Sequence, residues 1–147
     1  MQRRNFLQLL LGATVAMLLV PINALAAIWN KAAFGAITLD DAAKGMGIAG
    51  EMPSADIQIV APDYAENGAV VQVEVRSNIP NTEAIAILVD KNPTSLIANF
   101  MFSNGAEPFV VTRIKMAETS NVVAIAKVGD QYFEAKKYVE VSENGCN

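Results

Sequence analysis

Hydrophobic spacing changes period at Pro53. Before it, Leu39, Ala42, Ala43 and Met46 recur at helical intervals within an Ala-rich stretch from Ile28 to Gly50. Thr38-Leu39-Asp40-Asp41 has the form of a capping box, with Thr38 as N-cap and Asp41 reaching back to its amide. Gly45, Gly47 and Gly50 end the helix, and Pro53 makes the break definite. The Gly-Met-Gly-Ile-Ala-Gly run is a helix exit. It has neither the preceding strand nor the following Lys-Ser/Thr of a phosphate loop.

Beyond Pro53 the period is two. Ile57, Ile59 and Ala61 alternate with Asp56, Gln58 and Val60, and Ala69, Val71, Val73 and Val75 alternate with Gln72, Glu74 and Arg76. Further runs lie at about 84–89, 96–102, 108–116, 121–128 and 131–141. Asn67-Gly68, Pro80-Asn81, Asn92-Pro93, Asn104-Gly105 and Gly129-Asp130 punctuate them as turns. About seven strands at this spacing predict an all-β immunoglobulin-like sandwich preceded by a helical segment. Two strands, 84–89 and 122–126, are apolar on both faces, so each needs cover outside the sandwich. Either the N-terminal helix or a partner protein supplies it.

The first residues belong to neither pattern. Arg3-Arg4, the apolar run 9–20 and Ala24-Leu25-Ala26 form the three parts of a cleavable signal peptide. The apolar run is too short to span a bilayer, and the arginine pair before Phe6-Leu7 has the form of a twin-arginine export signal. The predicted organisation is therefore a signal peptide at 1–26, a helical segment at 27–53, a sandwich at 54–141 and a flexible arm at 142–147. Arg3 and Arg4 leave with the signal, so 11 basic residues become nine against 15 acids and the net charge goes from −4 to −6. The expected product is periplasmic, with no membrane attachment after cleavage. Twin-arginine export carries folded proteins, and a chain this poor in cofactor ligands points to a partner carried out with it.

Composition removes most chemistry. The 147 residues include no histidine and one cysteine. That excludes a histidine-based catalytic unit or metal site, an internal disulfide and a CxxC redox pair. The acidic balance speaks against nucleic acid. No cofactor is implied and no active site is legible. Asp40 and Asp41 suit a helix N-terminus, Arg113, Lys115, Lys136 and Lys137 read as solvated faces, and Phe100-Met101-Phe102 reads as core.

What remains is Cys146, in Ser142-Glu143-Asn144-Gly145-Cys146-Asn147. Cysteine is usually buried whereas termini are usually exposed. Gly145 frees the backbone beside it. Glu143 and the α-carboxylate disfavour the thiolate, so the pKa is expected at or above its ordinary value. A self-sufficient nucleophile would have a cation or a helix N-terminus nearby. Cys146 instead suits a covalent attachment point activated by other proteins, on an arm of six residues reaching roughly 20 Å.

The chain resembles the SoxY family, the sulfur-carrier subunits of the periplasmic thiosulfate-oxidising Sox system. The resemblance rests on Leu39-Asp40-Asp41-Ala42, Ala61-Pro62, Ala65-Glu66-Asn67-Gly68-Ala69, Val89-Asp90-Lys91-Asn92-Pro93, Thr112-Arg113-Ile114-Lys115-Met116 and the terminal Gly145-Cys146, in that order. It implies a non-catalytic carrier paired with a SoxZ-like subunit in a heterodimer or higher assembly. It also implies that Cys146 takes the sulfane sulfur of thiosulfate by oxidative conjugation at a haem enzyme. A hydrolase then releases sulfate, and a sulfur dehydrogenase is a further transient partner. The tip departs from the family's usual Gly-Gly-Cys-Gly-Gly, with Asn144 before the glycine and Asn147 after the cysteine. The alternatives are a structural Ig-like periplasmic adaptor, or a SoxY-like paralogue with altered partners.

Overall fold

The computed structural model describes residues 30–142. The expected signal peptide and the expected attachment site at Gly145-Cys146 lie outside them. Two short helices, α1 (Lys31–Phe34) and α2 (Leu39–Gly45), precede nine strands. Seven strands occupy the alternating runs: β2 (Ile57–Val60), β4 (Val71–Ser77), β5 (Ala84–Val89), β6 (Leu96–Met101), β7 (Phe109–Ile114), β8 (Ser120–Val128) and β9 (Gln131–Val141). The other two, β1 (Met52–Pro53) and β3 (Tyr64–Ala65), are two residues each and too short to show a period. Both pair parallel with β9.

One sheet runs β1-β9-β8-β5-β6, with β3 added along β9, and the other runs β2-β4-β7. They pack as an immunoglobulin-like sandwich. Its core is the inward set Val71, Val73, Val75, Ile85, Ile87, Val89, Val110, Val122, Ala124 and Val139. In β4 the burial alternates residue by residue, as the sequence period predicts.

Strand β5 is buried at all six positions and β8 at five consecutive ones, Val122 to Ala126. Their second faces, Ala86, Leu88, Val123 and Ile125, pack with Ala33, Ala36, Ala42, Ala43 and Ile48 of the helical segment. The chain therefore covers these strands itself, at about 1.5–3 kcal/mol for each large side chain so buried.

α2 starts after Thr38, as the capping box predicts, and the Ala-rich stretch before it forms a second short helix, α1. Asn30 holds both helices: its Oδ1 accepts from Ala33 N–H at 3.1 Å, and its Nδ2 donates to Gly45 C=O at 2.7 Å. Thr38 caps α2, accepting from Asp41 N–H at 3.1 Å. The Asp41 carboxylate accepts a hydrogen bond from the Thr38 hydroxyl at 2.9 Å instead of reaching the main-chain amide, being one methylene shorter than the usual Glu. At the far end, Gly47 N–H donates to Lys44 C=O and Ile48 N–H to Ala43 C=O, a Schellman closure with Gly47 at φ +74°. Gly45 has a different task. A Cβ there would lie 2.7 Å from Ala33 N, so only glycine lets α1 lie against α2. Among the described residues no helix is long and apolar enough to cross a membrane.

Candidate functional site

Strand β9 delivers the chain to Ser142, where the predicted arm begins. Its last residues are held on both edges. On the β3 side, Glu140 N–H donates to Asp63 C=O at 2.9 Å and Ser142 N–H to Ala65 C=O at 3.0 Å. On the β8 side, the Thr119 hydroxyl accepts from Val141 N–H at 2.9 Å and donates to Val141 C=O at 3.2 Å. One threonine thus satisfies both main-chain groups of Val141.

The loops around this exit brace one another. Met116 N–H donates to Gly68 C=O at 2.7 Å. A Cβ on Gly68 would stand 2.4 Å from Met116 O and 2.7 Å from Val141 Cγ1. Glycine is needed there for space, since its φ is not in the left-handed region. Asn92 is buried and bridges to the next loop, donating to Lys115 C=O at 2.7 Å and accepting from Ala117 N–H at 2.8 Å. Asn67-Gly68 and Asn92-Pro93 read in sequence only as turns. Their bracing roles depend on partners about 25 or more positions away, which local pattern does not show.

Lys137, beside the exit, pairs with Asp63 and holds its carboxyl below the usual carboxylate range, through the hydrogen bond first and charge attraction second. Lys136 pairs with Glu134 at 3.2 Å. Arg113 and Lys115 are exposed, as a solvated face requires. Asp40 and Asp41 lie in the first turn of α2. Phe100 and Phe102 pack on the core, but Met101 between them is 81% exposed, because alternation turns it outward. Among the described residues no acidic cluster is arranged to hold a metal. An open cavity of about 480 Å³ lies at the other end of the sandwich, between residues 77–83 and 102–108. Its one ionisable lining residue, Glu83, is paired with Lys127.

A family model described as sulfur oxidation protein SoxY matches residues 44–146, a span that includes Gly145 and Cys146. The structure of the sulfur carrier protein SoxY from Chlorobium limicola f thiosulfatophilum matches with 38% identity and a TM-score of 0.66, over 77% of this chain and 99% of that one. A far weaker likeness is to an engineered protein, with a TM-score of 0.42 at 13% identity over 60% of this chain and 20% of that one. No curated protein matches. With most of its length matched by the family model and by a solved carrier of the same fold, the chain belongs to the SoxY family.

Proposed function

We propose that the protein carries thiosulfate-derived sulfur intermediates covalently on the Cys146 thiol and presents them to separate Sox enzymes. The observation that carries the reading is the family match itself, which extends through the chain's one cysteine. In the first step the Cys146 thiolate and the sulfane sulfur of thiosulfate form an S–S bond. The two electrons released pass to a haem enzyme, and no group leaves. Water then attacks the sulfonate sulfur at a hydrolase, the S–S bond to that sulfur breaks, and sulfate and protons depart. A persulfide remains on Cys146, to be oxidised by a sulfur dehydrogenase.

The chain itself is no catalyst in this scheme and needs no cofactor. Its part is to hold the thiol on an arm rooted at Ser142, with Gly145 easing the backbone at the tip. Export through the twin-arginine pathway, already folded with a SoxZ-like subunit, places the pair in the periplasm. Intact-protein mass spectrometry on carrier isolated from cells oxidising thiosulfate tests the reading. Sulfur adducts are expected on the native protein and none on Cys146→Ser. A native protein bearing only free thiol would count decisively against a carrier and in favour of a structural adaptor.

A further inference from the structure

We propose that the connection between β5 and β6, residues 90–95, couples the helical layer to the root of the arm, with Ser95 and Asn92 as the positioning residues at its two ends.

Ser95 holds the helical layer. It is fully buried, its N–H donates to Ala36 C=O at 3.0 Å, and its hydroxyl donates to Ile37 C=O at 2.8 Å. Both carbonyls belong to the connection between α1 and α2.

Asn92 holds the other end. Its buried amide is used on both sides, donating to Lys115 C=O and accepting from Ala117 N–H. That pins the segment leading from β7 into β8. Met116, in the middle of that segment, bonds Gly68, which lies against Val141. Thr119, at its end, clamps both main-chain groups of Val141. Val141 is the last residue before the arm's root at Ser142. Ile37 and Val141 stand near opposite ends of the described chain, yet a short series of buried contacts joins them.

The loop between the two holds has little slack. Only Pro93 and Thr94 separate Asn92 from Ser95, and proline fixes its own φ. Val89 N–H closes the loop on Ser95 C=O at 2.9 Å. A piece this short and this tied passes a displacement at one end to the other, and such hydrogen-bonded chains between packed elements carry energetic coupling. On the carrier reading, the helical layer is thereby part of what aims Cys146. The coupling does not depend on that reading, because its test observes only the body of the protein.

Native-state amide exchange on the whole chain, followed residue by residue by NMR, is that test. Ser95→Ala should speed exchange at Val141 and Ser142 about fivefold or more, with the Ile85 and Ile87 amides at the native rate. Once Asn92→Ala is in place, adding Ser95→Ala should change Val141 and Ser142 no further, since the link is already cut. Thr82→Val is the control. It removes a buried hydroxyl, bonded to Ile79 C=O at 2.8 Å, at the other end of the sandwich, and the arm's root should keep its native rates. Coupling is reciprocal, so Thr119→Val should in turn speed exchange of the Ser95 N–H, a measurement that stands even where Asn92→Ala does not fold. The coupling is overturned by a Ser95→Ala effect confined to residues 33–48, by equal acceleration in Thr82→Val, or by Ser95 and Asn92 effects that simply multiply. Absence of sulfur adducts on Cys146 would remove the carrier reading and leave the coupling standing.

Discussion

Gly68 and Thr119 set the direction in which the chain leaves the sandwich, though neither is near the thiol in sequence. In Gly68→Ala the new Cβ meets a main-chain oxygen and a core valine, and main chain does not yield cheaply. The expected cost is about 1–3 kcal/mol, read as a lower urea midpoint with an unchanged slope. Thr119→Val keeps shape but strands the N–H and C=O of Val141, at about 1–3 kcal/mol. Hydrogen exchange at Val141 and Ser142 should accelerate in both variants while the β5 amides keep their protection. Uniform acceleration throughout β5 and β8 would show that these residues serve global stability and not the exit.

At the scale of elements, Gly45 decides whether the helical layer lies down. Ala at this position should push α1 away from α2 and partly uncover Leu88 and Val123, with increased binding of a hydrophobic dye at a cost of about 1–3 kcal/mol. Dye binding and stability equal to the native protein would show that the helices tolerate the separation. Most of this architecture was legible in the sequence. Period-two runs located seven strands to within a few residues, and the doubly apolar β5 and β8 announced a layer outside the sandwich. The sequence left open whether that layer was helix or partner, and the packing of Ala42 and Ala43 against Val123 and Ile125 resolves it. The start of α2 was legible in the Thr38 capping box, but α1 was not separable within the Ala-rich stretch, because the Asn30 bond to Gly45 and the Ser95 tie to the connection are long-range features. The Ser95 hydroxyl donates to Ile37 C=O at 2.8 Å across 58 positions. Strands β1 and β3 exist only because β9 offers them an edge. Of the proposed site, sequence could single out the thiol by its isolation, whereas the bracing of the exit is made by long-range contacts.

Across the whole molecule, the ion pairs that join distant stretches of chain include Asp63 with Lys137 and Glu83 with Lys127. Both carboxyls are held below their ordinary values, each chiefly by the lysine's hydrogen bond. Their stabilisation is present above the carboxylate pKa of the unfolded chain and is lost as pH falls through the lower folded value. Lys127 is raised by Glu83, so its contribution is present below the ordinary lysine value and fades as pH rises through the higher folded one. Thermal midpoints should therefore form a plateau near neutrality that declines in acid. Replacing both lysines by Gln should make the acid decline shallower, since the carboxyls then titrate alike in folded and unfolded chains. All these side chains are at the surface, so added salt should shrink the difference.

The double-edged grip on β9 has a mechanical meaning as well. Ladder hydrogen bonds lie across a strand, so tension along its axis loads them side by side in shear and does not unzip them one at a time. A tug on residue 143 in line with β9 is shared by the β3 bonds, the Thr119 clamp and the long β8 ladder. Force taken up at the tip thus passes into the body of the sandwich, and the strand is not frayed from its end.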